Sequence, residues 1–304
     1  MKRLVLALLG FLVAPLCIAG GGGVVASIKP VYALVAGVMR GVAEPVLLIR
    51  GGASPHDFSL RPSEARAIYK AELVFWVGDH LESFLSKMLR STKARNVALA
   101  QIPGIELLGL REGGLWDSQG SHERHHEHQQ HAGDYDPHIW LDPHNAVVMV
   151  RAIEAALADL DPDHQDRYRD NAAELIARLH TLDAALAERL ASIKDKPYIV
   201  FHDGYQYFER RYGLAAAGSV TLDPEKKTGA RRISEIRRRI DENRIVCVFS
   251  EPQFEPALVR VLIENTSVGT GVLDPVGGTL AAGPDAYFQL MNNLADNLYA
   301  CLAG

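Results

Sequence analysis

Cysteine is scarce in this chain, with 3 among 304 residues, so a dense disulfide framework is excluded as the source of its stability. Past residue 19 no stretch stays apolar for the ~20 residues that a membrane-spanning helix needs, which excludes a helical membrane core. An excess of positive charge is absent too. Lys and Arg number 32 against 37 Asp and Glu, a net charge of −5, and that sign argues against a nucleic-acid partner. There is no repeat of fixed period, and no segment that reads as helix carries a His-Glu-x-x-His pair, the pattern of many hydrolytic metal sites.

What is present begins at the first residues. Lys2 and Arg3 precede an apolar run from Leu4 to Ile18, and Ala19 follows with a small side chain. This pattern predicts a secretory signal over 1–19, too short and too early for a membrane span. An uncleaved anchor and a lipidated Cys17 are the alternatives, although Leu16 is not the small residue expected just before a lipidated cysteine. Export removes Lys2 and Arg3, leaving 30 basic against 37 acidic residues, about −7. It also leaves two cysteines, Cys247 and Cys301, both in apolar segments. In an oxidising compartment such a pair favours a disulfide, with two separate buried thiols as the alternative.

Strand-like and helix-like segments then alternate. Apolar runs at 24–28, 45–49, 73–77, 96–100 and 106–108 read as strands, with helices at 30–39, 63–70 and 81–89 between them. A second series starts at 198–201 and continues through strands at 215–220, 245–249 and 268–273. Its helices fall near 205–211, 232–243, 256–264 and 284–302. Between the series, residues 163–192 lack Gly and Pro and repeat Leu175, Leu179, Leu182, Leu186 and Leu190 at helical spacing. The expected fold is α/β, with two lobes, each a mainly parallel sheet flanked by helices, joined by one long helix. The boundaries are 20–160 for the N-terminal lobe, 161–193 for the linker and 194–304 for the C-terminal lobe. An ordinary surface helix of the second lobe is the alternative reading of the linker.

Histidine carries the chemistry. His122, His125, His126, His128 and His131 crowd residues 121–131, interleaved with Glu123 and Glu127. Imidazole is the commonest protein ligand for zinc-like metals. A tract of this composition, within a loop of about 112–135, is expected to be mobile and to capture metal loosely, since ordering it costs backbone entropy. An idle polar tract is the alternative.

Four other groups stand where strands are expected to end: His56, His138, His202 and Asp274. In parallel α/β sheets ligands bind outside the carboxyl ends of the strands. Two of the four come from each half, so a site built from them lies in the cleft between lobes. Taken singly, each reads as well as a loop, turn or cap residue. Asp57 and Asp142 are candidates for orienting a ligand imidazole, and Glu251 is a further strand-end carboxylate. His80, His144, His164 and His180 read as helix-start or solvent-facing residues.

Three motifs carry a resemblance to a known family. They are Gly-Gly-Ala-Ser-Pro-His-Asp-Phe-Ser-Leu-Arg-Pro-Ser over 51–63, Asp-Pro-His-Ile-Trp-Leu-Asp-Pro over 136–143 and Phe-His-Asp-Gly-Tyr-Gln-Tyr-Phe over 201–208. In this order, and over nearly the whole mature chain, the sequence resembles the ZnuA-like periplasmic zinc-uptake binding proteins of ABC importers. These belong to the metal-binding cluster of solute-binding proteins.

The resemblance implies that His56, His138 and His202 are imidazole ligands of Zn2+. Asp274 matches the carboxylate that many relatives use as the fourth. Some members use water, or a Glu just before the first histidine, where this chain has Pro55. Manganese-binding relatives tend to carry a Glu at the place of His202, and a three-imidazole set also suits zinc better than manganese on chemical grounds. The resemblance further implies a Cys247–Cys301 disulfide and a rigid linker helix that limits closure. The implied function is capture of zinc in the periplasm and delivery to the membrane permease of an ABC importer. The chain is expected to be a monomer that is not an enzyme and binds no nucleic acid. A zinc-dependent hydrolase, and a metal buffer or adhesin without a transporter, are the alternatives.

Overall fold

The structure, a computed structural model, describes residues 23–111, 134–222, 229–254 and 257–304. The expected signal over 1–19 and the histidine-rich run over 121–131 lie outside the described residues.

The N-terminal half places β1 (Val24–Ala26), α1 (Lys29–Val38), β2 (Val46–Leu47), α2 (Pro62–Lys70), β3 (Leu73–Trp76), α3 (Ser83–Ser91) and β4 (Arg95–Ala98) in chain order. Its sheet runs β2-β1-β3-β4 and all its pairings are parallel, with Val25 opposite both Val46 and Val74. Every residue of β1 and β3 is buried, because helices cover both faces of a parallel sheet and leave no solvated side to alternate with. α1 follows the same logic. It buries nine of its ten residues, so its sequence is apolar almost all round.

Two long helices come next, α4 (Pro143–Leu160) and α5 (Gln165–Leu190). Asp142 caps α4 by accepting from the backbone N–H of His144 at 2.8 Å. α5 has 26 residues, about 39 Å of helix. It buries Tyr168, Leu175, Leu179, Leu182, Leu186 and Leu190, the leucine repeat seen in the sequence. The C-terminal half then adds β5 (Tyr198–His202), α6 (Gln206–Tyr212), β6 (Ala216–Thr221), α7 (Ala230–Glu242), β7 (Cys247–Ser250), α8 (Ala257–Ile263), β8 (Gly269–Val272) and α9 (Ala286–Leu302). This second sheet is also parallel, in the order β6-β5-β7-β8. The two-lobed α/β architecture with a long joining helix is the one expected.

The joining helix is more than a strut. α5 packs on α4, α1 and α9, and one continuous apolar core runs through all four helices and into both sheets, from Val24 to Leu302. Smaller cores fill the outer faces, around Leu48, Val74 and Leu85 in one lobe and Ile199, Ile236 and Leu262 in the other. Cys247 and Cys301 form a disulfide that ties β7 to α9, which decides between the two readings of that pair.

One expected strand is absent. Residues 106–108 join no sheet, and the nearest pairing is an isolated bridge of Gly109 to Tyr135. Side chains satisfy their backbone instead. Glu106 N–H donates to Asn145 Oδ1 at 2.8 Å, and Leu108 N–H donates to the Tyr207 hydroxyl at 3.0 Å. An apolar pair of leucines resembles a strand in sequence, but here Leu108 is buried in the shared core and Leu107 faces solvent.

Candidate metal centre

His56, His138 and His202 meet at the mouth of the cleft. Their ring nitrogens all lie within 4.8 Å of one another, although 82 residues separate the first two and 64 the second two. Each arrives from a different element. His56 follows β2 in the loop over 48–61, where Gly51 adopts φ +72°, a conformation that side chains rarely take. His138 precedes a single 3-10 turn over Ile139–Leu141, so it follows no strand, contrary to the sequence reading. His202 is the last residue of β5. His138 and His202 are 2% and 3% exposed, and His56 is partly buried.

Two of the rings are held from behind. His138 Nδ1 donates to Asp136 Oδ1 at 2.7 Å, and the same oxygen accepts from the His138 backbone N–H at 3.0 Å. His202 Nδ1 donates to Glu251 Oε1 at 2.5 Å. Both carboxylates are buried. A buried carboxylate is the partner that fixes the tautomer and direction of a metal-binding imidazole. With Nδ1–H used in this way, a neutral His138 and a neutral His202 each present a bare Nε2 lone pair.

Those lone pairs face each other. The Nε2 atoms of His202 and His138 are 3.2 Å apart, and those of His56 and His138 are 3.3 Å apart. Two nitrogens each 2.0–2.1 Å from a tetrahedral ion stand roughly 3.3–3.4 Å apart. The spacing is that of ligands converging on one small cation.

His56 and His202 are shifted in opposite directions. Burial, aided by the neighbouring His138 and His202, pushes the His56 imidazole down to about 2, so this ring stays neutral and able to bind metal. At His202 burial opposes the charged form, but the Glu251 carboxylate outweighs it and raises the ring above the ordinary histidine range. On the solvent side the three rings open into a cavity of about 530 Å³, which Asp57, His80, Tyr135 and Asp203 also line. A second, smaller space of about 10 Å³ adjoins the rings beside Pro55, Phe254 and Pro275.

Asp274 stands differently. Its Oδ1 accepts from Gln253 Nε2 at 2.7 Å and from Val276 N–H at 3.3 Å, and the residue is not a member of the three-histidine cluster. Its second oxygen, Oδ2, is buried with no hydrogen-bond partner. Asp57 is exposed, and Asp142 is spent on capping α4, so neither orients one of the three rings. That task falls to Asp136 and Glu251. Sequence reasoning missed Asp136 altogether, although its position two residues before His138 was a usable signal. His80 sits at the cavity wall, with its ring 4.2 Å from that of Tyr135. His144 and His180 are exposed, and His164 pairs with Asp161.

The lobes are fastened around this centre. The Tyr207 hydroxyl donates to the carbonyl of Asp136 at 2.7 Å, and Trp140 Nε1 donates to the carbonyl of Pro275 at 2.7 Å. The Tyr287 hydroxyl donates to the carbonyl of Trp140 at 2.8 Å. Arg111 bridges to Asp203 Oδ1 at 3.0 Å and to Glu209 Oε2 at 2.7 Å.

A two-lobed α/β fold with imidazoles gathered in its cleft defines the chain as a metal-binding solute-binding protein. The chain belongs to the family described as "Zinc-uptake complex component A periplasmic", which it matches over residues 24–301. It is 44% identical over 313 residues to the high-affinity zinc uptake system protein ZnuA of Brucella suis biovar 1, covering 92% of each chain. To the ZnuA of Yersinia pestis it is 36% identical over 288 residues, covering 92% of this chain and 91% of the other. A crystal structure of ZnuA superposes with a TM-score of 0.77 at 25% identity, over 92% of this chain and 98% of that one. The periplasmic zinc-binding protein TroA of Treponema pallidum shares the fold, with a TM-score of 0.77 at 20% identity over 93% and 99% of the two chains.

Proposed function

We propose that this chain captures zinc in the periplasm with His56, His138 and His202 and hands it to the membrane permease of an ABC importer. The observation that carries this reading is the three-imidazole cluster, in which the Nε2 atoms of His56 and His202 each stand at zinc-ligand spacing from that of His138 and two of the rings are backed by buried carboxylates. The named relatives, which are zinc-uptake proteins, support the metal and the route.

The fourth place in a tetrahedral shell falls to Asp274 or to water. The unpartnered Oδ2 of Asp274 favours the carboxylate. The histidine-rich run, His122, His125, His126, His128 and His131, is an auxiliary and weaker collector. The N-terminal lobe over 20–160, the linker over 161–193 and the C-terminal lobe over 194–304 work as a rigid pair with a small range of closure. The shared core and the fastening bonds support this.

The test is elemental analysis and chelator competition on the exported protein. One tightly held zinc per chain is expected, and His138→Ala should weaken it by orders of magnitude. Near-normal affinity in His138→Ala would remove that residue from the site and the proposal with it.

A further inference from the structure

α1 contains a single charged residue, Lys29, and buries it: the residue is 6% exposed in a helix whose other buried positions are apolar or glycine. An ammonium has three N–H donors. All three are used on backbone carbonyls of one loop in the opposite lobe: Gly277 at 2.5 Å, Gly278 at 2.9 Å and Leu280 at 2.6 Å. Burial disfavours the charged form of this lysine, and the nearby Asp274 carboxylate is what favours it. A position needed only for packing would be met by another aliphatic side chain. The charge and the three donors have to do something that a leucine would not.

The loop they hold connects β8 to α9 and carries Asp274 as its second residue. The N-terminal lobe grips it at two further points. Trp140 donates to the carbonyl of Pro275. Gly278 lies so close to the His56 loop that a Cβ placed on it would fall 2.8 Å from Gly52 Cα. The carbonyls that Lys29 binds therefore lie a few residues from the proposed fourth donor and against the loop that carries the first imidazole.

We propose that Lys29 is a positioning residue for the metal site. By clamping the carbonyls of Gly277, Gly278 and Leu280 it fixes where Asp274 stands relative to the three imidazoles, and so sets zinc affinity without touching the ion. The inference rests on the reading above, with Asp274 as the fourth donor.

The test uses the full chain as wild type, Lys29→Met, Asp274→Asn and the double variant. Zinc affinity is measured by chelator competition, and the visible absorption of the Co(II)-loaded protein reports the ligand shell. Each single substitution is expected to weaken zinc binding on the order of 10–100-fold, the range for groups that orient ligands, and to change the Co(II) bands in the same way. The double variant is expected to bind no worse than the weaker single one, because both changes remove the same donor. Lys29→Arg, which keeps the charge and donors, should restore most of the affinity.

Wild-type affinity in Lys29→Met, or an equal further loss when it is added to Asp274→Asn, overturns the proposal. Should Lys29→Met fail to fold, Gly278→Ala takes its place in the same cycle, since its Cβ forces the two loops apart, and unchanged affinity there overturns the proposal equally. A wild-type protein without a tight zinc would instead refute the functional reading itself.

Discussion

His202, the last residue of β5, donates its Nδ1 proton to Glu251, the first residue beyond β7, at 2.5 Å. The two strands are neighbours in a parallel sheet, with Tyr198 opposite Cys247 and Ile199 opposite Val248, so the sheet register itself brings the ring to its carboxylate. Glu251→Gln should leave the fold intact and weaken zinc binding about 10–100-fold, the usual loss when a partner orienting a metal ligand is removed. Competition against a chelator measures it. Wild-type affinity in this variant would show that the pair does not direct the ring.

The imidazoles respond to acid in opposite ways. His56 is held down to about 2 in the folded protein, while a histidine in the unfolded chain takes up a proton near pH 6.5. Below about pH 6.5 the unfolded chain therefore binds the extra proton, and the stability that neutral His56 contributes is lost as pH falls. His202 is raised, so its pairing with Glu251 contributes most at low pH and fades as pH rises through its own value. Metal-free wild type should lose thermal stability on acidification more steeply than His56→Gln. Melting curves of the two proteins between about pH 5 and 8 check it, and parallel pH dependences would contradict the neutral state assigned to His56. Zinc itself should be displaced by acid mainly through proton competition at His202.

The Cys247–Cys301 bridge closes a loop of 54 residues between β7 and α9. In the chain-entropy account such a closure stabilises by about 4 kcal/mol. The double Cys→Ala variant should unfold at correspondingly lower urea yet keep its tight zinc, because neither cysteine belongs to the three-histidine cluster. Urea titration and metal analysis on the same sample test both halves. Loss of zinc in the folded variant would tie the bridge to the site.

Removing residues 121–131 should leave the high-affinity event in place and abolish additional weak binding. Titration calorimetry separates the two classes. Disappearance of the tight event would move the main site into the histidine-rich run.

Much of this was legible in the sequence, for a physical reason. Strands buried on both faces are continuous apolar runs, and Val24 to Ala26, Leu73 to Trp76 and Tyr198 to Phe201 announce themselves as such. The leucine repeat of α5 is likewise a direct record of its buried face. His56 and His202 could be placed because strand ends are where parallel sheets collect ligands.

The partners of the clustered rings were harder to read. Asp136 sits in a Pro-containing turn, where an aspartate has an ordinary use as a turn residue. Asp57 and Asp142 looked equally good, and the structure turns one to solvent and gives the other to a helix cap. The segment at 106–108 misled because its hydrogen bonds go to Asn145 and Tyr207, whose distance in sequence carries no periodic signal. Lys29 showed nothing in sequence, since a lysine beside Pro30 at a helix start reads as solvent-facing until the opposite loop is seen.

The most direct measurement is the anomalous diffraction of a crystal of the zinc-loaded protein, recorded at the zinc absorption edge. The account predicts a single strong peak within 2.0–2.1 Å of a ring nitrogen from each of His56, His138 and His202. A strong peak elsewhere, or one bound by fewer than these three imidazoles, would contradict it.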